Sequence, residues 1–380
     1  MIINRSFWPN YPIIGEALLM LSEKAANKGY SVSVAMQEKK NIRKSLKKFN
    51  RGTKTSFFPI KSLANPDSGI FIKLLNSLFF TLAVIRVLFK VQPNKIYIST
   101  DPPIIVPFVV MIYCYLFNAY YVYHVQDIHP EATNAIIPLN KWLFYILIKI
   151  DSITMRNAEK LITITKEMAH EISKRSSTNI PIYILNNPAI SFKEVELIKK
   201  KQAGFSFCGN VGRMQRIPIL LNAIETYFKK GGNLKFTFAG SGIYAKTLQH
   251  FSEKYELFEF LGWVSPIRAA KITSTYSWAL LPIEDNVTKY AFPSKTSSYV
   301  FANAKILGIC GPQTSVAKWI NEHELGLSVE PEIEKLVEFF FKIEKGRFET
   351  KKHPEKFRKL KSKLQIESFV EKINKIIFDI

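Results

Sequence analysis

Pro293, Ser294 and Lys295 follow one another between two short apolar runs, Trp278 to Ile283 and Lys305 to Cys310. Both runs read as buried strands, and the stretch between them holds a loop and about two and a half turns of helix. Pro293 suits the first helical position, where its fixed φ is already helical and the amide it lacks would have no partner. A helix opening in this way gathers unpaired N–H groups, a hydroxyl and a cation, which suits a phosphate or diphosphate. An ordinary cap followed by a solvated lysine would use the same residues. Two further turns point the same way: Gly209-Asn210-Val211-Gly212-Arg213-Met214-Gln215 and Gly240-Ser241-Gly242 each join a strand pattern to a helix pattern. A single glycine turn is weak evidence, because tight strand-to-helix turns need glycine for backbone geometry alone. Three such turns in one array make a nucleotide site a working expectation. Asp127 stands apart, at the carboxyl end of the strand Tyr120 to Val125, where open α/β sheets bind ligands. It would equally serve as a helix cap.

These residues need a scaffold, and the chain alternates strand and helix almost throughout. A helix over 13–28 stops at Gly29 and a strand follows over 31–36. The polar, lysine-rich stretch 37–55 reads as an exposed loop. A long helix over 70–91 precedes a strand over 95–100, and Asp101-Pro102-Pro103 opens an apolar helix. The strand 120–125, in which His124 points into the sheet, a helix over 141–149 and a strand over 161–165 complete the first array. Charge replaces strand pattern over 191–204, which reads as a linker. Beyond it, strands over 205–208, 234–239 and 258–260 alternate with helices, the first of which carries Ile217, Leu220, Leu221, Ile224 and Phe228 on one face. The expected organisation is a first domain over 1–190, the linker, a second domain over 205–360, and a terminal helix in 361–380 that packs back towards the first domain. The fold class is α/β, with two Rossmann-like doubly wound domains facing one another across a cleft.

Composition narrows the function. At 380 residues, 47% of them hydrophobic, the chain suits two packed cores rather than disorder. Its three cysteines are far apart and no zinc spacing occurs, so neither a disulfide framework nor a metal site is expected and a cytoplasmic location is. The amino terminus lacks the pattern of a signal peptide. The apolar run 103–117 offers roughly 15 residues against the ~20 that cross a bilayer, and the run 76–91 is interrupted by Arg86 and Lys90, so neither reads as a span. A net charge of +22, spread over both halves, fits an anionic membrane surface or a phosphorylated substrate. Nucleic acid is disfavoured by the absence of any of its recognition motifs.

Taken in order, Phe7-Trp8-Pro9-Asn10-Tyr11-Pro12 through Gly15, Ser99 to Pro103, Val125 to Glu131, Gly209 to Gln215, Leu261-Gly262-Trp263, and Pro293-Ser294-Lys295 to Tyr299 resemble a family over nearly the whole chain. The chain is similar to the family 4 retaining glycosyltransferases of the two-domain GT-B type, in particular the branch that builds bacterial O-antigen, capsule and exopolysaccharide repeats. The resemblance implies a nucleotide-sugar donor, UDP-linked, held by the second domain, and a polyprenyl-diphosphate-linked glycan acceptor held by the first. It implies no cofactor and no metal, and a peripheral place on the inner face of the cytoplasmic membrane. The donor diphosphate would rest on the amides near Gly212 and at Ser294, with Lys295 as the cation. Donor contacts would come from Gly209, Asn210, Gly212, Arg213, Gln215, Gly240, Gly242, Pro293, Ser294, Lys295 and Ser298. Acceptor contacts would come from Pro12, Gly15 and Glu16. Lys295 and Asp127 would be the catalytic pair, Lys295 steadying the departing diphosphate and Asp127 orienting the sugar or accepting a proton. Glu131 is a weaker candidate.

The sequence departs from the family pattern where two glutamates with seven residues between them usually stand; Tyr290 and Ser298 occupy those positions. Ser298 would bind a ribose hydroxyl less strongly than an ionised acceptor does. The usual arginine and lysine after the first glycine of the second domain are Asn210 and Gln215, leaving Arg213 or Arg216 as substitutes. Two other readings share the layout: a sugar-nucleotide 2-epimerase, which would turn over its nucleotide sugar with no acceptor, and a catalytically silent binding subunit.

Overall fold

The computed structural model describes residues 1–11, 13–38, 41–64, 68–190, 198, 200–347 and 353–378. The chain divides into two compact units, Met1–Pro188 with Ile366–Ile380, and Ala189–Gln365. Each is built around one wholly parallel sheet.

In the first unit the strands are β1 (Ile2–Ile3), β2 (Val32–Glu38), β3 (Thr55–Lys61), β4 (Lys95–Ser99), β5 (Tyr120–Val125), β6 (Lys160–Thr163) and β7 (Ile182–Ile184), in the order β3-β2-β1-β4-β5-β6-β7. Its helices are α1 (Ile14–Asn27), α2 (Ile42–Lys48), α3 (Ile70–Val91), α4 (Ile105–Phe117), α5 (Glu131–Asn134), α6 (Lys141–Arg156) and α7 (Lys166–Ser176). The order of strands reverses between β1 and β4, which is where such sheets open a ligand crevice at their carboxyl ends. Alternation along the strands sorts the helices onto two faces. Tyr97 and Val122 join α1 and the terminal helix in one core, whereas Tyr121 and Tyr123 turn the other way and bond to α6 at Thr154 and Asp151.

The second unit holds β8 (Gln202–Cys208), β9 (Lys235–Ala239), β10 (Phe258–Phe260), β11 (Tyr276–Pro282), β12 (Lys305–Ile309) and β13 (Gly326–Val329), in the order β10-β9-β8-β11-β12-β13. Its helices are α8 (Ile217–Lys229), α9 (Ala245–Lys254), α10 (Pro266–Thr275), α11 (Lys295–Phe301), α12 (Ser315–Glu322), α13 (Ile333–Glu344) and α14 (Pro354–Lys363). Phe205 and Phe207 of β8 pair in register with Phe236 and Phe238 of β9 and stack on them, with ring centroids 5.0 and 5.3 Å apart. Such cross-strand aromatic pairs fix register as well as burying area. The reversal here falls between β8 and β11.

Several boundaries differ from the sequence expectations. The stretch 37–55 is not one exposed loop: β2 runs on to Glu38, and α2 forms over Ile42–Lys48. Only two apolar residues of α2, Ile42 and Leu46, are buried; their i, i+4 spacing suffices once Asn41 caps the Lys44 amide. β3 is a further strand beyond those expected, and its place at the edge of the sheet is what tolerates Pro59. Of the expected linker 191–204, residues 191–197 and 199 lie outside the described residues, and β8 already begins at Gln202. In the terminal segment, α14 belongs to the second unit, and only α15 (Ile366–Phe378) joins the first, where Phe369, Val370 and Ile373 are buried against α1.

Because Ile373 is fully buried in that core, Ile373→Ala should cost about 2–5 kcal/mol of the first unit's stability. Urea unfolding would show a lowered midpoint, and an unchanged midpoint would contradict this packing.

Candidate functional site

In the second unit the candidate residues converge at the carboxyl ends of β8, β9 and β11, at the reversal in strand order. Gly209 and Gly240 follow β8 and β9 directly, with φ of 146° and 151°. Side chains rarely adopt this backbone, and here they would also have no room. A Cβ on Gly240 would fall on the Gly209 carbonyl oxygen, and one on Gly209 would lie 2.8 Å from Lys295 Nζ. The two turns therefore pack backbone to backbone, with Gly242 against the Val211 carbonyl and the Val211 amide donating to Ser241 O at 3.0 Å.

Lys295 is the first residue of α11, which Tyr299 ties to β11 by a 3.0 Å hydrogen bond to the Leu280 carbonyl. Its ammonium turns back over the Phe207 ring, 3.8 Å from the centroid. Burial pulls its pKa from the ordinary 10.5 down to about 7, and the Cys208 thiol only partly opposes the shift. A fall of that size weighs several kcal/mol against the charged form, since each pKa unit is about 1.4 kcal/mol. A desolvated cation–π contact returns about 2 kcal/mol, too little to compensate. No hydrogen bond or ion pair to a described residue satisfies Nζ, so an anionic ligand would find an uncompensated cation there.

Other expected donor residues are placed less simply. Pro293 is not the first helical residue: it precedes the cap, Ser294, and its carbonyl accepts from the Thr296 amide and hydroxyl. Ser294 is exposed and its side chain caps nothing, while Ser298 is half-buried one turn into the helix. The Gly212 amide is not free for a ligand, because it donates to Gln215 Oε1 at 3.0 Å; Gln215 is therefore a cap for this turn. Arg216 is committed to Glu284 and Asp285, at 3.1 and 3.0 Å, and to the Ile283 carbonyl. Arg213 is exposed beside it, and Asn210 lies exposed against Gly212 and Gly242. Phe207, the platform for Lys295, was not singled out from the sequence, where it is one member of an alternating strand.

In the first unit, loops after β1, β4 and β5 are knitted together at the reversal. Asp101 accepts from Arg5 Nε and the Ser6 amide, both at 2.8 Å, and Thr100 Oγ1 accepts from the Gln126 and Asp127 amides. This holds Asp127 half-buried with no partner for its carboxylate among the described residues. Burial, with the Asp101 carboxylate adding to it, pushes the Asp127 pKa up to about 6, so it is mostly ionised at neutral pH and suited to accept a proton. Glu131 is no such candidate: Arg175 binds it at 2.9 Å while also holding Asp151. Glu16 is likewise committed, at 2.9 Å, to Arg51, which also grips Glu23. That clamp anchors the turn at Gly52, so Glu16 reads as structural. Gly15 lets the Phe7-Trp8 backbone lie against the start of α1, and Pro12 lies outside the described residues. His124 is buried in the sheet, bonded to Tyr97. Among the described residues no group of three or more His, Cys, Asp or Glu could hold a metal ion.

The contact between the two glycine turns makes Gly240→Ala a sharp probe. Its positive φ and the blocked Cβ position should together cost about 2 kcal/mol or more, read as a lowered urea midpoint; a variant as stable as the parent would contradict the geometry.

No protein-family model and no curated protein matches the sequence. Solved structures do match over the full length. The glycosyltransferase WaaG, involved in lipopolysaccharide biosynthesis, superposes with a TM-score of 0.65 at 12% identity, covering 99% of each chain. Alr3699/HepE of Anabaena, solved in complex with UDP, gives 0.65 at 12% identity over 100% of this chain and 99% of its own. A glycosyltransferase of Rickettsia africae gives 0.67 at 11% identity over 99% and 98%. With two Rossmann-like units, each on a parallel sheet, this chain has the GT-B fold.

Proposed function

We propose that the protein is a retaining glycosyltransferase of the family 4 type. It would move a hexose or N-acetylhexosamine from a UDP-sugar to a polyprenyl-diphosphate-linked glycan during bacterial cell-surface polysaccharide synthesis. The observation that carries this reading is the uncompensated Lys295 ammonium beside the paired glycine turns of a GT-B second unit. The UDP bound to Alr3699/HepE and the sugar-transfer role of WaaG support the class of donor.

In this reading the second unit takes the donor, and the bond from the sugar's anomeric carbon to the diphosphate breaks with its electron pair leaving on the phosphate oxygen. Lys295 stabilises that developing charge, an interaction fixed before the reaction begins. The acceptor hydroxyl forms the new bond on the face the diphosphate leaves, which retains configuration. Asp127 serves the first unit's substrate as an orienting or proton-accepting group. Arg213, exposed at the first glycine turn, is the remaining cation for the donor, because Arg216 is already paired. A lipid-linked acceptor places the enzyme at the cytoplasmic face of the membrane.

Incubating the protein with UDP-sugars and short diphospholipid-linked acceptors should release UDP and yield a glycolipid whose anomeric configuration matches the donor, assigned by NMR. Lys295→Ala should lower the rate by about 100-fold or more, as loss of one preorganised charge-stabilising group does. Full activity in that variant would remove the role assigned to Lys295, and turnover of a UDP-sugar without acceptor would favour an epimerase.

Binding carries its own pH signature. Above pH 7 the free Lys295 loses its proton and must regain it to hold a diphosphate. Affinity for UDP should fall by up to about tenfold per pH unit between about pH 7 and 9, with proton uptake on binding. Calorimetry in buffers of different ionisation enthalpy would read both, and Lys295→Met should abolish the pH dependence over this range.

A further inference from the structure

The outer helices of the first unit form a surface that glycosyl transfer does not explain. Beside one another on one side of the sheet, α3 contacts α4 and α4 contacts α6. The inward side of α3, with Phe80, Val84 and Leu88, is buried. Its opposite side is just as apolar: Phe71, Leu74, Leu78 and Leu82 recur at helical spacing and are all more than half exposed. The same surface continues through Tyr115 and Leu116 of α4, at 86% and 66% exposure, and through Trp142 and Tyr145 of α6, at 81% and 63%. A helix that is apolar on every side is normally covered on every side. Exposed apolar patches on this scale mark a partner surface.

Charge identifies the partner. The three helices carry six exposed cations, Lys73, Arg86 and Lys90 on α3 and Lys141, Lys149 and Arg156 on α6. By helical spacing Arg86 flanks the apolar stripe of α3 and Lys149 shares the side of Trp142 and Tyr145, whereas Lys90 turns over the Phe58 ring of β3 and Arg156 donates to the Ser176 carbonyl. The single acidic residue of the three helices, Asp151, is buried and paired with Arg175. A second copy of the same face would set cations against cations with no exposed carboxylate to relieve them. A bilayer rich in anionic headgroups would instead pair with the lysines and arginine while its acyl boundary took up the leucines and rings. Exposed Trp142, Tyr145 and Tyr115 are of the residue types that prefer this boundary.

Position on the sheet decides between lying on a membrane and crossing it. Over Phe71–Val91, α3 is long and apolar enough to span a bilayer by length and composition, and 28% of its most apolar window is buried. Its inner side packs on β2, β3 and α4, so a span would have to abandon the sheet. We propose that the α3–α4–α6 face is a docking surface for anionic phospholipid, with α3 lying in the interfacial plane along its length of about 33 Å.

Vesicle binding tests this without nucleotide or acceptor, so its outcome is separate from that of the transfer reaction. The full chain should co-sediment with phosphatidylcholine vesicles containing about 30 mol% phosphatidylglycerol, and at least about tenfold less with phosphatidylcholine alone. Leu74→Glu combined with Trp142→Glu, and separately Arg86→Glu combined with Lys149→Glu, should each lower the partition coefficient about tenfold or more with unchanged circular dichroism. Leu74→Ser with Trp142→Ser provides a milder apolar variant should the glutamates disturb folding. Wild-type protein that stays in the supernatant, or variants that bind as it does, would overturn the proposal. A dimer broken by the same substitutions, with no vesicle binding, would overturn it in favour of self-association.

Discussion

A half-buried cation with no counter-charge among the described residues sets the logic of the second unit. Lys295 holds its ammonium over the Phe207 ring at the place where the strand order reverses, and the ring offsets only part of what burial costs it. The surrounding structure holds it there. Tyr299 ties α11 to β11, the Phe205–Phe236 and Phe207–Phe238 stacks set the register of β8 and β9, and the absence of a side chain at Gly209 leaves the space that Nζ occupies. Such an arrangement is unfavourable for an empty protein and favourable for one that binds an anion at that point, as the transferase proposed above would.

The same contrast runs through both units, because most charged side chains near the strand ends are already matched. Glu16 and Glu23 share Arg51, Glu131 and Asp151 share Arg175, Glu284 and Asp285 share Arg216, and Asp101 is held by Arg5. These pairs hold loops in place. Asp127 in the first unit and Lys295 in the second have no such partner for their charge among the described residues, and burial moves their pKa values in opposite directions towards neutrality. Two groups that can change protonation near pH 7, each at the ligand end of its own sheet, are what general acid–base and leaving-group chemistry needs. The apolar, cation-bearing face of α3, α4 and α6, which we propose docks on anionic phospholipid, involves neither of these two residues.

Much of the architecture was legible because it rests on local periodicity. The runs around β11 and β12, the helix ending at Gly29 and the α/β alternation are all written in residues within a turn or a strand of one another. Reading failed where tertiary partners decide the outcome. Two buried residues in a lysine-rich stretch were enough for α2, and an edge strand with a proline was enough for β3. At the site, the glycine turns and Lys295 could be singled out by type and spacing, but their environment could not. Arg51 neutralises Glu16 from a different element, Gln215 takes the Gly212 amide by folding back on its own turn, and Phe207 meets Lys295 only through the sheet. Long-range pairing of charges is invisible to periodicity, so the sequence overstated the number of free polar groups and could not rank them.

A GT-B fold is compatible with many donors and acceptors, so the weight of the functional reading falls on the state of one side chain. The most direct test is an NMR titration of Lys295, following the carbon next to its ammonium in labelled protein with and without UDP. A pKa near 7 in the free protein that returns towards the ordinary ~10.4 when UDP binds would bear out the account. An ordinary pKa in the free protein, or a depressed one that UDP leaves unmoved, would contradict it.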